Sequence, residues 1–326
     1  MRRAAITAVG AYLPPRRLTN ADLEKLVDTS DEWILERTGI RERRILGRGK
    51  GSAYMSIKAA EEALQKRQID PAEIDLVIVA TVTPEHPFPA TANIVANAIG
   101  AHRAWGFDVE AACSSFLYAL SSAADSIVAG RVQKALVIGS DKMSAIIDYT
   151  DRATCVLFGD AAGAVLLEPT DEEVGIMDYH HQADGSGCAF LHMKAGGSVL
   201  PPSLRTVRNR LHYVYQEGRQ VFKHAVVQMA AASEALMKKH GLTADDIAFF
   251  VPHQANRRII EAAAQRLGLP MEKVMLNIDR YGNTTSATLP LCLYDYESQL
   301  KKGDNLILAA FGGGFTWGAL WLRWAY

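Results

Sequence analysis

Continuous apolar runs alternate along this chain with segments whose apolar positions recur at helical spacing. Ile74 to Ala80, interrupted only by Asp75, and Ile247 to Val251 each predict a strand buried on both faces. Phe116, Leu117, Leu120, Ala124, Ile127 and Val128 follow the helical period until Gly130. Ile259, Ile260, Ala263 and Leu267 do the same after the second apolar run. Ala4 to Leu13, closed by Pro14-Pro15, predicts a first strand and turn. Helix alternating with buried strand predicts an α/β protein built of βα units around a largely parallel sheet.

The pattern repeats. Residues 59–66 read AAEEALQK and residues 231–238 read AASEALMK, identical at six of eight positions. Each octet is followed by a short charged turn and a buried strand. A glycine-containing turn before an apolar strand recurs at Gly130 to Gly139 and at Gly303 to Ala310. The chain is therefore expected to form two related halves, 1–172 and 173–326. On this offset Cys113 and Asn283 are expected at equivalent positions, each just before the third helix of its half. A pseudo-twofold relation would gather the ends of equivalent elements, and with them Cys113, His253 and Asn283.

Cys113 follows the run Trp105 to Ala112 and begins a predicted helix. Unpaired amides and the helix dipole favour a thiolate there, which lowers a cysteine pKa from ~8.5 into the range ~3.5–7.5. A cysteine among alanines is otherwise a small core residue. His253 and Asn256 follow the strand at 247–252, the end at which α/β folds gather their chemistry. Asn283 stands in the turn-rich stretch Asp279 to Ala287. A single His or Asn is usually a satisfied hydrogen-bonding residue or a helix cap. Their combination with Cys113 is what predicts a nucleophilic site.

Composition narrows the function classes. The 326 residues suffice for two packed domains or one large α/β domain. Thirty-five Lys and Arg against 36 Asp and Glu leave a net charge of −1, which argues against nucleic acid as the main partner. No stretch reaches the ~18 uninterrupted apolar residues of a membrane span. Met1-Arg2-Arg3 before apolar residues faintly resembles a signal peptide, but the stretch is short, contains Gly10 and ends at two prolines, so a cytoplasmic protein is expected. Cys113, Cys155, Cys188 and Cys292 lack paired spacing, so no disulfide framework is expected. His180, His181, Cys188 and His192 lack a recognised ligand spacing, and no metal site is expected.

Several motifs together resemble the β-ketoacyl-acyl carrier protein synthase III family, condensing enzymes that initiate type II fatty-acid synthesis. They run from Ala11-Tyr12-Leu13-Pro14 through Asp28 to Trp33 and Arg37 to Arg43, and end at Phe311-Gly312-Gly313-Gly314-Phe315-Thr316-Trp317-Gly318. The resemblance spans essentially the whole chain. It implies the thiolase fold, two similar halves in five αβαβα layers, and a homodimer without a cofactor. It implies Cys113 as the acyl-accepting nucleophile with His253 and Asn283 as partners, and an oxyanion hole formed by the backbone N–H groups of Cys113 and Gly313. Acyl-CoA would meet Trp33, Arg37 and Arg152 with its nucleotide and Asn256 with its pantetheine arm. Malonyl-acyl carrier protein would dock on Lys223, Gln254, Arg257, Arg258 and Arg266. Phe88 would limit the acyl pocket across the dimer interface, which favours a short primer.

The chemistry is consistent with those residues. Cysteine forms a thioester readily, and this splits a difficult transfer into acylation and carbon–carbon bond formation. Decarboxylation of a malonyl thioester develops negative charge on the thioester oxygen, which a neutral His253 and the Asn283 amide can receive and an acidic partner would oppose. Ser115 and Ala161 replace glycines usual in the family. The rival readings are a thiolase-fold acyltransferase acting on another nucleophile, a cysteine hydrolase and a silent binding module. Gly312-Gly313-Gly314 lacks the helix that a dinucleotide site requires.

Overall fold

The structure, a computed structural model, describes residues 2–326. In chain order the strands are β1 (Arg3–Tyr12), β2 (Arg16–Thr19), β3 (Glu42–Ile45), β4 (Leu76–Ala80), β5 (Trp105–Val109), β6 (Ala135–Lys142) and β7 (Asp160–Thr170). They continue as β8 (Gly175–Ala183), β9 (Leu191–Met193), β10 (Val214–Gln216), β11 (Phe249–Pro252), β12 (Asn305–Gly312) and β13 (Thr316–Arg323). A five-stranded sheet has the order β1-β7-β6-β4-β5, and a four-stranded sheet has the order β11-β12-β13-β8. Read from β1 and from β8, the two sheets share one scheme: two antiparallel pairings, then a parallel one. A lone parallel bridge from Phe250 to Val274 stands where the second sheet would have its fifth strand.

The sheets are thus mixed rather than largely parallel. The apolar runs are continuous because helices cover both faces of each sheet, and antiparallel strands in such a place read the same way. Leu306, Leu308 and Ala310 of β12 face the centre of the molecule, while Ile307, Ala309 and Phe311 face outward. This is the period of two expected of a strand.

The helices Ser115–Val128 and Thr288–Tyr296 fill the central layer, packing Phe116, Leu120, Ile127, Leu289 and Leu293 between the two sheets. Ser52–Arg67 and Thr91–Ile99 cover the outer face of the first sheet. Gly218–Lys239 and Arg257–Arg266 cover that of the second. The result is the αβαβα layering of the thiolase fold. The repeated octets lie in the equivalent helices Ser52–Arg67 and Gly218–Lys239. Among the described residues, no helix is long and apolar enough to cross a membrane.

One detail of the repeat needs correction. Ala112 and Thr285 both have positive φ, 47° and 53°, and each opens a single 3-10 turn leading into a central helix. These turns align Cys113 with Ser286 and Ser115 with Thr288. Asn283 therefore corresponds to Glu110, three residues from the expected equivalence. The mismatch arises because both functional groups lie near the turn while only one lies in it.

Candidate active site

The Ala112–Ser114 turn, which carries Cys113, stands between β5 and the Ser115–Val128 helix. Two hydrogen bonds tie it to the other half: Thr316 Oγ1 donates to the Ala111 carbonyl at 2.8 Å, and Ser114 Oγ donates to the Thr316 carbonyl at 3.0 Å. A Cβ on Gly312 would sit 2.6 Å from the Cys113 nitrogen, so glycine is what lets β12 pass so close. That approach brings Cys113 and Gly313 onto the wall of one cavity of about 570 Å³. The Cys113 N–H is at the start of the turn, where an amide has no intrahelical acceptor.

His253 enters the same cavity from the end of β11. Its backbone N–H donates to the Ala309 carbonyl at 2.8 Å, and its Nδ1 lies 2.7 Å from Thr288 Oγ1. Only 3% of the residue is exposed, and burial pushes the imidazole pKa down to about 3, so the ring is neutral at ordinary pH.

Asn283 is held by backbone pairing with 157–159: its N–H donates to the Leu157 carbonyl at 2.9 Å, and its carbonyl accepts the Gly159 N–H at 3.0 Å. Its side-chain Oδ1 accepts the Thr285 N–H at 2.9 Å. Because a backbone N–H can only donate, that contact fixes which end of the amide is oxygen. The NH2 group remains as the donor available to the cavity.

Burial reverses the thiolate expectation. Cys113 is 7% exposed, and desolvation, followed by the Asp141 charge, pushes its thiol up to about 12. The wall of the cavity therefore carries a thiol and a neutral imidazole at ordinary pH.

Asp141 was not singled out from the sequence. It is wholly buried at the end of β6, and its Oδ1 accepts from Thr81 Oγ1, the Val82 N–H, and the N–H and Oγ1 of Thr83. Its Oδ2 accepts the Ser286 N–H at 3.1 Å and Ser286 Oγ at 2.6 Å. Burial raises its pKa against these donors. One carboxylate thus pins the turn after Asn283 to the first sheet. The only available signal was an acid at the end of an apolar strand.

A second group of residues adjoins the cavity, with only Asn256 on its wall. Ser30 caps the Asp31–Thr38 helix by accepting the Trp33 N–H at 3.1 Å, and Arg152 lies with its guanidinium 4.1 Å from the Trp33 ring centroid. The Arg37 guanidinium is 5.8 Å from the same ring. Asn256 lines the cavity, caps the Arg257–Arg266 helix through Oδ1, and donates from Nδ2 to the Arg37 carbonyl at 2.8 Å. One of its amide hydrogens is left free. Nucleotide and pantetheine candidates are therefore contiguous with the mouth of the cavity.

Lys223, Arg257, Arg258 and Arg266 are exposed. Arg257 pairs with Glu261, Arg266 is bidentate on Glu234, and Arg258 lies over Phe222. Gln254 does not belong with them. It is fully buried, donates to the Pro252 and Met275 carbonyls and accepts the N–H groups of Asn277 and Ile278. A saturated buried amide cannot meet a docking protein, so its assignment to the carrier-protein surface is withdrawn. Phe88 is 84% exposed and does not line its own chain's cavity.

The two replaced glycines are accommodated. Ser115 Oγ accepts the Ala111 N–H and donates to the Ala112 carbonyl, both at 2.7 Å, so it closes the turn that carries Cys113. Ala161 is buried in β7 opposite Asp141. The ribbon β9–β10 supplies a cavity wall with Leu191, His192, Val214 and Gln216, none of them proposed from the sequence as pocket residues. Among the described residues, no group of three or more His, Cys, Asp or Glu is arranged to hold a metal.

Known proteins provide a family for this geometry. The family model described as 3-Oxoacyl-[acyl-carrier-protein (ACP)] synthase III matches residues 107–185, and that of its C-terminal part matches residues 237–324. Beta-ketoacyl-[acyl-carrier-protein] synthase III 2 of Bacteroides thetaiotaomicron is 55% identical over 99% of this chain and 97% of its own. The synthase III of Porphyromonas gingivalis is 56% identical with the same coverage. The crystal structure of 3-oxoacyl-[acyl-carrier-protein] synthase III from Aquifex aeolicus superposes with a TM-score of 0.92 at 42% identity, covering 98% of this chain and 100% of that one. With identity above half along almost its full length, and the same fold, the chain belongs to the 3-oxoacyl-[acyl-carrier-protein] synthase III family of condensing acyltransferases.

Proposed function

We propose that the protein joins a short-chain acyl-CoA primer to malonyl-acyl carrier protein, releasing carbon dioxide and giving 3-ketoacyl-acyl carrier protein through a Cys113 acyl-enzyme. The observation that carries this reading is the convergence of Cys113, His253 and the free NH2 of Asn283 on one cavity. In the first half-reaction the Cys113 sulfur attacks the acyl thioester. The Cys113 proton leaves with the coenzyme A thiol, so acylation needs no stored thiolate. N–H groups of Cys113 and Gly313 receive the tetrahedral oxyanion, a kind of contact worth ~2.7–4 kcal/mol per donor in the transition state.

In the second half-reaction the malonyl thioester carbonyl accepts hydrogen bonds from His253 and Asn283. Loss of carbon dioxide places negative charge on that oxygen. The enolate carbon then attacks the acyl carbonyl on Cys113 and expels the sulfur. A neutral imidazole suits this role because it donates without surrendering its proton, and burial keeps His253 neutral.

The stacked Trp33 and Arg152 support a nucleotide site, with Arg37 adding charge for phosphate. Lys223, Arg257, Arg258 and Arg266 support docking of an acidic carrier protein. Residues 1–172 would form the half with the nucleophile and 173–326 the half with His253 and Asn283. A homodimer acting in the cytoplasm completes the reading. Its support is the edge position of β5 and a solvent-facing Phe88, which in a dimer would close the partner's acyl pocket against long primers.

The test is to follow carbon dioxide and 3-ketoacyl product by mass spectrometry with malonyl-acyl carrier protein and a panel of acyl-CoA primers. Coupled release and condensation are expected, with short primers best. Acylation of Cys113 without carbon dioxide release would overturn the condensing role in favour of transfer to another nucleophile, and a long-chain acyl-CoA as the best primer would overturn the role of Phe88.

A further inference from the structure

His253 can serve the enolate oxygen as a donor only if its single proton is on Nε2. That choice is made at the other nitrogen, where Thr288 Oγ1 lies 2.7 Å from Nδ1. Thr288 opens the Thr288–Tyr296 helix of the central layer and is 1% exposed, so no solvent competes for this contact. Its hydroxyl has one proton and two acceptors in reach, Nδ1 and the Thr285 carbonyl at 3.0 Å. The Thr285 carbonyl already accepts the Thr288 backbone N–H, whereas Nδ1 has no other partner.

The duplicated half shows how the position differs. Ser115, the equivalent of Thr288, is saturated within its own turn, accepting the Ala111 N–H and donating to the Ala112 carbonyl. Among the described residues no such local N–H donates to Thr288 Oγ1; its hydroxyl instead meets an imidazole nitrogen from the end of the preceding strand, which without a proton can only accept. The same hydroxyl position thus closes a turn in one half and reaches a functional side chain in the other.

We infer that Thr288 is the positioning residue of this site: its hydroxyl donates to His253 Nδ1 and so keeps the imidazole proton on Nε2, facing the cavity. This rests on the decarboxylative role of His253 proposed above and adds what sets it. Replacing the hydroxyl by a methyl of the same shape removes the donor. Nothing then holds the proton on Nε2, and the ring protonated on Nδ1 presents the lone pair of Nε2 to a carbonyl oxygen.

The experiment compares wild type, Thr288→Val and Thr288→Ser by NMR of the imidazole nitrogens, alongside separate rates of Cys113 acylation and malonyl-thioester decarboxylation. Wild type and Thr288→Ser are expected to show a protonated Nε2. Thr288→Val is expected to move the proton to Nδ1 and slow decarboxylation by about a hundredfold, the low side of acid–base contributions, while acylation stays within about twofold. A protonated Nδ1 in wild type, or Thr288→Val decarboxylating at the wild-type rate, overturns the inference. Should Thr288→Val fail to fold, Thr288→Ala, which also lacks the hydroxyl, takes its place in the same comparison. Wild type that shows Nε2–H but releases no carbon dioxide would instead contradict the condensing reading and leave the tautomer assignment standing.

Discussion

Asn283→Asp isolates one hydrogen-bond donor with little change of shape. The aspartate keeps an oxygen for the Thr285 N–H, so the contact that orients the side chain at 2.9 Å survives. The NH2 group is replaced by a second oxygen, which cannot donate and, when ionised, opposes the charge on the developing enolate. Loss of one donor aimed at an oxyanion costs ~2.7–4 kcal/mol, or a ~10²–10³-fold slower step. Repulsion adds to that in the ionised state. Asn283 is 6% exposed, so desolvation raises the new carboxyl's pKa, and its protonated form regains a donor O–H. The deficit is therefore expected to shrink as pH falls through that raised pKa. Carbon dioxide release from malonyl-acyl carrier protein measures the step, while intact-mass analysis after acyl-CoA addition measures Cys113 acylation. Acylation is expected near the wild-type rate. A folded variant that decarboxylates within about tenfold of wild type, or one that loses acylation, would refute the division of roles.

Three further outcomes follow from the same geometry. Alkylation of Cys113 by iodoacetamide should accelerate with each step of pH through the alkaline range, because burial pushes the thiol up to about 12 and the thiolate fraction grows only as pH approaches it; a plateau near neutrality would show the helix dipole winning. Asp141→Asn should lower unfolding free energy by ~1–3 kcal/mol or more in chemical denaturation, since one carbonyl oxygen can satisfy a single flank and the NH2 then faces the Ser286 N–H; unchanged stability would remove Asp141 as the pin of that turn. Trp33→Ala should raise KM for acyl-CoA several-fold, as expected from ~0.5–1 kcal/mol of lost stacking on Arg152, and leave KM for an acyl-pantetheine unchanged; equal effects on both would move the nucleotide elsewhere.

The strands and helices were legible because burial writes itself into local period: Ile307 and Leu308 point to opposite layers, and their alternation needs only a few residues to appear. Strand direction was not legible, because a run covered by helices on both faces is apolar whichever way its neighbour points. Cys113, His253 and Asn283 could be proposed together because each follows a recognisable boundary and lies in a motif resembling the family's, and the structure brings all three to one cavity. Their supports could not, since these depend on encounters between distant segments. Asp141 meets Ser286 across 145 residues, and nothing in the Ser140-Asp141-Lys142 stretch names its partner. Gln254, beside His253 and before two arginines, has the local look of surface; it is buried because the chain returns over it at Asn277 and Ile278.

The repeat explains why such supports are hard to read and why they matter. Duplication supplied each half with a 3-10 turn opened by a positive φ and followed by a hydroxyl residue three positions on, Ser115 and Thr288. Sequence similarity sees the two hydroxyls as the same feature. Their surroundings differ by what the second half brings to each: the tip of β13 closes over the first turn through Thr316, and the end of β11 delivers His253 to the second. A pseudo-symmetric scaffold can thus carry an asymmetric reaction, with the proposed nucleophile at one turn and the proposed donors near the other.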